Sequence, residues 1–338
     1  MIDPALEGQP SFMGKATAIA NPNIAFIKYW GKADAALNLP ANPSLSMNLA
    51  ALTTATTVEF RSGLPSDTVT IDDQPATDQA AARVVRHLDH VRVLAGTTDR
   101  ARVASRNDFP AGTGLASSAA AFAALSLAAV RAVGLDLDEP ALSRLARLGS
   151  GSACRSVPAG FGLWEGDSDG SSYARQVAAP DHWDLRDVIA IVSRQHKTVG
   201  SLEGHALAPG SPLHGARLAA VPGYLEAVRR GLKNRDLRLL GPVAEADALA
   251  MHGVMMTSEP SLLYWLPETV AVLREVRAWR ESGLGVYFTL DAGPNVHCLC
   301  EAADAREVES RLRNTFVVQD VIISGPGDGV RPVNYSLF

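Results

Sequence analysis

Asn21-Pro-Asn-Ile-Ala-Phe-Ile-Lys28-Tyr-Trp-Gly-Lys32 places two of the chain's five lysines four residues apart in one apolar run. Nearly every other basic residue is arginine, so lysine is used sparingly. From Ile24 to Trp30, apolar residues fall on both alternating faces, which reads as a buried strand. A lysine on such a strand carries a large desolvation cost unless it meets an anion. A structural carboxylate or a bound acidic ligand would supply one. The competing reading is that the alkyl stems pack and the ammonium groups reach water.

The surrounding 338 residues suit two packed domains, divided near residue 190 into 1–190 and 191–338. A hydrophobic content of 47% and a charged content of 20% describe an ordinary globular protein. The net charge of −5, with no basic run or aromatic-interleaved stripe, argues against a nucleic-acid surface. Met1 to Pro10 is polar and acidic, without the apolar segment of a signal peptide. The most apolar stretch, Leu115 to Val133, is rich in alanine and internal, so no membrane span is expected. A cytoplasmic protein is the expectation. Cys154, Cys298 and Cys300 are too few for a disulfide framework. On a strand, Cys298 and Cys300 share a face that His297 does not, so they read as core residues and no metal site is assigned.

Along the chain, apolar runs and Pro/Asn/Ser turns alternate through the first ~60 residues, as strands joined by loops do. Thr53–Phe60 and Thr68–Ile71 read as further strands, and Val188–Val192 as a short buried one. Ala80–Leu94, Leu115–Val133 and Glu139–Leu148 read as helices, the last with proline in its first turn. Beyond residue 190, helices are expected at Pro212–Leu232, Arg235–Met256, Pro267–Ser282 and Asp304–Asn314. Strands at Gly285–Leu290, Val296–Glu301 and Val317–Ile323 interleave with the last two, giving an α+β class.

Three segments carry chemistry. Pro110-Ala-Gly-Thr-Gly-Leu-Ala-Ser-Ser-Ala-Ala120 runs into the alanine-rich helix. Gly112 and Gly114 permit close backbone approach, Ser117 and Ser118 offer hydroxyls, and a helix N-terminus offers free N–H groups. That is the physics of a phosphate cradle, though without a Walker lysine, and a serine-capped turn is the plainer reading. Gly149-Ser-Gly-Ser-Ala-Cys-Arg155-Ser156 combines hydroxyls, flexible backbone and one guanidinium. Arg155 can fork a carboxylate or phosphate, or simply cap a helix. Thr289-Leu-Asp291-Ala-Gly-Pro-Asn295 ends a strand with an acid, as catalytic acids and Asx-turns both do. Beside two lysines and an arginine its pKa would fall, leaving an anion that orients or accepts a proton.

Together these segments resemble the mevalonate diphosphate decarboxylase family of the GHMP kinase superfamily. The match rests on Asn23 to Lys32, on Leu39-Pro with Ser44-Leu-Ser46, on Pro110 to Ala120, on Gly149 to Ser156 and on Asp291 to Asn295, in family order. The phosphate loop is common to the superfamily; the Lys-Tyr-Trp-Gly-Lys and Gly-Ser-Ala-Cys-Arg-Ser segments point to the decarboxylase branch. The resemblance implies an α+β GHMP kinase fold, with an N-terminal domain like domain 2 of ribosomal protein S5 and a ferredoxin-like C-terminal domain. It implies a homodimer and phosphorylation of the tertiary 3-hydroxyl of a 5-phosphorylated mevalonate by ATP with Mg2+. Loss of that phosphate and of carbon dioxide would follow. Under it, Asp291 would orient or deprotonate the hydroxyl, Lys28 would stabilise the developing charge and Arg155 would fork the carboxylate. Tyr29, Lys32, Ser150, Gly151 and Ser152 would hold the 5-phosphate end. Pro110, Gly112, Gly114, Leu115, Ser117 and Ser118 would cradle ATP, and Mg2+ would arrive with the nucleotide.

One departure bears on the substrate. The family usually shows a lysine, then Val-Ser-Ser, two variable positions and Gly-Met; here the segment is Lys197-Thr-Val-Gly-Ser-Leu-Glu-Gly-His205. Leu202 stands where some members carry arginine against the diphosphate, and Glu203 adds a negative charge. Fewer cations favour the 5-monophosphate over the 5-diphosphate, unless both side chains face solvent. A mevalonate 3-kinase that stops after phosphorylation is the other alternative. His205 replaces the usual methionine, and His252 reads as a packing histidine on a helix face.

Overall fold

The apolar run forms the strand Asn23–Ile27, and all five of its residues are buried. It ends one residue before Lys28, so Lys28, Tyr29 and Trp30 lie past the strand rather than on it. The structure, a computed structural model, describes residues 14–109, 117–195 and 199–338. Asn23–Ile27 is the edge of an antiparallel four-stranded sheet that continues through Ser44–Asn48 and Phe161–Glu165 to Tyr173–Ala178. A six-stranded sheet runs Arg331–Val333, Lys15–Ala20, Thr54–Arg61, Arg100–Asn107, Thr68–Ile71 and Gln74–Pro75. Its one parallel pairing joins Thr68–Ile71 to Arg100–Asn107.

Over that sheet lies the helix Ser117–Ala132, whose alanines let it approach the strands closely and bury residues on nearly every side. Asp78–Ala95 is capped by the Thr77 hydroxyl and stopped by Gly96, whose φ of 64° is left-handed. Glu139–Gly149 is capped by Asp138 and leads into a 3-10 turn, Gly151–Ser156, that carries Arg155.

A second four-stranded sheet has the order Val286–Thr289, Val296–Glu301, Leu185–Ile191 and Asp320–Ser324, all antiparallel. The division at 190/191 falls inside Leu185–Ile191, and the tail returns to the six-stranded sheet through Arg331–Val333. One face packs against the helices Pro267–Glu281 and Ala305–Arg313, around Val188, Val276, Phe288 and the buried Cys298 and Cys300. The other face meets the helical hairpin His214–Asn234 and Leu237–Met256. There Ile24, Phe26 and Ile27 join Ile189, Leu240, Ala244 and Leu299 in one core shared by the two halves. Helix Leu237–Met256 touches both strand Asn23–Ile27 and strand Val286–Thr289, so it fixes one against the other.

Candidate active site

Lys28 is 1% exposed and donates to Asp291 Oδ1 at 2.8 Å and to the Ala25 carbonyl at 2.6 Å. The anion this lysine requires is therefore a carboxylate of the protein, and its ammonium does not reach bulk water. Burial lowers the Lys28 pKa from its usual 10.5, and the Asp291 charge offsets part of that. Asp291 stands just beyond strand Val286–Thr289 with 23% of its side chain open. Burial alone would raise its pKa, but the charge and hydrogen bond of Lys28, with His297 and Arg155, hold it below the ordinary carboxylate value. Of Lys28 and Lys32, Lys28 alone pairs with Asp291. Lys32 instead donates to Asn38 Oδ1 at 2.6 Å, and Asn38 is itself anchored to the Arg147 and Leu148 carbonyls.

Arg155 is buried, its Nε held by Asn23 Oδ1 and Ser46 Oγ and its Nη1 by Ser44 Oγ at 2.6 Å. Ser44 and Ser46 share one face of their strand while Leu45 fills the core on the other, so the Ser-Leu-Ser motif is a cradle for this guanidinium. Nη2 makes no hydrogen bond among the described residues, which leaves a donor pair for a ligand. Tyr29 packs edge-on to Trp164, with ring centroids 4.6 Å apart, and its buried hydroxyl has no partner among the described residues. Gly151 faces that ring so closely that a Cβ there would come within 2.6 Å of the hydroxyl.

Lys28, Tyr29, Lys32, Ser117, Ser118, Ser150, Gly151, Ser152, Arg155 and Asp291 all line a single cavity of about 490 Å3. Pro110, Gly112, Gly114 and Leu115 lie outside the described residues, as does Lys197. Ser118 Oγ is 3.4 Å from Ser150 Oγ, so the start of helix Ser117–Ala132 meets the Gly149–Ser156 segment directly. The cavity wall also carries Arg83 from helix Asp78–Ala95, which the sequence reading missed. Nothing in an amphipathic helix with several arginines singles that one out. An adjoining, largely apolar cavity of about 170 Å3 shares Ala80, Arg83, Ser117 and Ser118 with the first. Its far walls are Val69, Ile71, Val84, Val103, Phe122 and Leu125.

The departing segment forms a short helix, Ser201–Leu207, on the cavity wall. His205 stacks against Tyr29 and Trp30, with centroids 4.1 and 4.5 Å away, and its Nδ1 accepts the Gly31 N–H at 3.1 Å. Leu202, 47% exposed, and Glu203 line the cavity mouth, so both face solvent and site at once. His252 is buried behind the site: its Nε2 donates to the Asp291 carbonyl, and burial drives its pKa down to about 3. Among the described residues, four cations (Lys28, Lys32, Arg83 and Arg155) face two carboxylates, Asp291 and Glu203, around the cavity. Among the described residues, no cluster of three or more histidines, cysteines or acids is placed to hold a metal. No described helix is long and apolar enough to cross a membrane.

A cation-rich cavity at a helix N-terminus, with an ionised acid against a buried lysine, is the apparatus of a small-molecule phosphotransfer enzyme. Residues 20–174 match the family model for the diphosphomevalonate decarboxylase-like N-terminal domain, and residues 187–326 match the mevalonate 5-diphosphate decarboxylase C-terminal domain. The chain belongs to the mevalonate diphosphate decarboxylase family, and its α+β architecture is the GHMP kinase fold. A phosphomevalonate decarboxylase of Haloferax volcanii is 34% identical over 93% of this chain and 97% of its own length. The mevalonate diphosphate decarboxylase of Staphylococcus aureus superposes with a TM-score of 0.91 at 35% identity, covering 95% of this chain and 98% of its own. A relative solved with MVAPP, AMPPCP and magnesium gives 0.90 at 36%, over 95% and 99%.

Proposed function

We propose that this chain carries out the ATP-dependent decarboxylation of mevalonate 5-phosphate to isopentenyl phosphate. The observation that carries the reading is the Asp291–Lys28 pair with Arg155 in one cavity. Asp291, kept ionised by its neighbours, accepts the proton of the tertiary hydroxyl as that oxygen attacks the γ-phosphorus of ATP. Lys28 sits where negative charge gathers between the two oxygens, already oriented and dry. Arg155 holds the substrate carboxylate through Nη2. In the second stage the bond to the carboxylate carbon breaks and its electron pair becomes the new double bond. The 3-phosphate departs with the C–O electrons, and carbon dioxide leaves.

Lys32, Tyr29, Ser150, Gly151 and Ser152 line the part of the cavity that suits the 5-phosphate, with Asn38 aiming the lysine. The nucleotide phosphates fit at Ser117 and Ser118, and the adjoining apolar cavity suits the base, reached past Arg83. With Asp291 and Glu203 the only carboxylates on the wall among the described residues, Mg2+ would be held mainly by phosphate oxygens, as is its habit. The relative solved with AMPPCP and magnesium supports a nucleotide with its metal here. Preference for the monophosphate is supported by Leu202 and Glu203 at the mouth, which offer a second phosphate no cation and one like charge. The similarity to the Haloferax volcanii protein supports it too. A cytoplasmic homodimer is part of the proposal, to be checked by cell fractionation and sedimentation.

The test compares kcat/KM for mevalonate, its 5-phosphate and its 5-diphosphate, with ADP and carbon dioxide measured together. The monophosphate is expected to lead the diphosphate by about tenfold or more, some 1.4 kcal/mol of discrimination. A lead for the diphosphate overturns the substrate assignment. ADP without carbon dioxide replaces the decarboxylase with a 3-kinase.

A further inference from the structure

Lys28 is held twice: its side chain by Asp291 and its main chain by a group outside the cavity. Because the strand stops at Ile27, the N–H and C=O of Lys28 have no sheet partners, and buried peptide groups must find others. Asp247 Oδ2 accepts the Lys28 N–H at 2.6 Å. The Lys28 carbonyl accepts from Arg217 Nη2 at 2.7 Å and from Asn42 Nδ2 at 2.9 Å. Arg217 in turn binds Asp247 at 3.0 Å and Asn42 Oδ1 at 3.2 Å. The arginine and aspartate are essentially inaccessible, 1% and 0% exposed at their side chains. A fully buried ion pair is weak as a source of stability, since desolvation cancels most of its attraction. Three of the hydrogen bonds here converge on one peptide segment, that of the lysine on which the proposed reaction depends.

The same helix that supplies Asp247 supplies His252, five residues on. His252 Nε2 donates to the Asp291 main-chain carbonyl at 3.1 Å. Helix Leu237–Met256 therefore grips the backbone on both sides of the Lys28–Asp291 pair, although those two residues are 263 positions apart in sequence.

We propose that helix Leu237–Met256 sets the spacing of Lys28 and Asp291, with Asp247, braced by Arg217 and Asn42, and His252 as positioning residues for phosphoryl transfer. The inference rests on the functional reading above. Asp247, Arg217 and His252 do not line the cavity, so their effect on turnover passes through the two residues they hold. A displacement of about 1 Å at a reacting group is enough to lose about a hundredfold in rate.

The experiment is Asp247→Asn, with Asp247→Asn/Arg217→Gln as the neutral pair if the single variant does not fold, and His252→Phe as an independent probe. Each is expected to lower kcat by about 10- to 100-fold with the KM for ATP within about twofold. The acidic limb of the kcat–pH profile gives a readout that lost stability alone would not move. The charges acting on Asp291 are those of Lys28, His297 and Arg155, and His252 Nε2 donates to its main-chain carbonyl. Loosening Lys28 leaves burial less opposed, so the Asp291 pKa rises and the acidic limb moves to higher pH. Folded variants with wild-type kcat, or a lower melting temperature with the limb in place, overturn the proposal. A wild-type enzyme without ADP release on any of the three substrates overturns the functional reading instead, which separates the two failures.

Discussion

Replacing Lys28 with methionine removes one positive charge while keeping most of the buried stem, so it isolates electrostatics from packing. Two losses follow from the geometry. The developing charge on the transferring phosphoryl group loses a fixed cation in a dry site, a kind of loss that costs about 10^2–10^3 in kcat. Asp291 loses the partner 2.8 Å away that opposes its burial, so its pKa rises and less of it is ionised at neutral pH. Misplacing or neutralising a general base adds a factor of about 10^2 or more. The two effects share one ion pair and will not multiply fully, so the expected fall in kcat is about 10^3–10^5. Breaking a buried pair costs about 3–5 kcal/mol of stability, and the lower end applies because Asp291 is 23% open to the cavity. The double variant Lys28→Met/Asp291→Asn, which leaves no unpaired charge, is expected to recover much of that stability and none of the turnover. Both are measured by ADP release and carbon dioxide evolution under saturating substrates, with thermal unfolding and nucleotide affinity recorded in parallel. A variant whose kcat is intact and whose defect is a raised KM refutes the role given to Lys28.

Two further expectations concern packing and acid. Gly151→Ala places a methyl 2.6 Å from the Tyr29 hydroxyl, and Trp164 and His205 leave that ring nowhere to go. The expected result is about 1–3 kcal/mol of lost stability and a raised KM for the phosphorylated substrate, with kcat less affected; an unchanged melting temperature and KM counts against the packing. His87 and His252 are both buried, and burial lowers each from 6.5 to about 3. Between those values the unfolded chain binds protons that the folded one refuses, so stability falls as pH drops from about 6.5 towards 3, by about 1.4 kcal/mol per pH unit for each histidine. Urea unfolding of wild type and of His87→Gln between pH 7 and 4 checks this, and an identical slope in the two contradicts the assignment.

Much of the architecture was legible because it depends on local pattern. Helix Ser117–Ala132 and strand Val296–Glu301 stand where alanine content and apolar runs placed them. Strand Arg100–Asn107 escaped notice because its arginines at 100, 102 and 106 mask the buried Ala101, Val103 and Ala104. Helix Ser201–Leu207 was hidden by Gly204, which reads as a loop residue. Its lack of a side chain is explained instead by Trp30, whose ring a Cβ would approach to 2.6 Å. Within the site, Lys28, Arg155 and Asp291 were found because each is chemically conspicuous in its own segment. Asn42, Arg217 and Asp247 were not, since a lone asparagine, arginine or aspartate in a loop or helix has many ordinary uses.

That difference has a physical origin in how the site is assembled. Lys28 and Arg155 belong to one half of the chain, the latter cradled by Ser44 and Ser46, and the carboxylate that pairs with Lys28 arrives from the other half as Asp291. The shared core of Ile24, Phe26, Leu240 and Leu299 brings the halves together without direction, because apolar burial fixes no distance to a fraction of an ångström. Hydrogen bonds do fix such distances, and Asp247, Arg217 and His252 each make one to a main-chain atom of Lys28 or Asp291. Main-chain N–H and C=O groups are the same in every sequence. The residues that name the chemistry are therefore readable one segment at a time, whereas those that set its geometry become visible only when the two halves are seen docked.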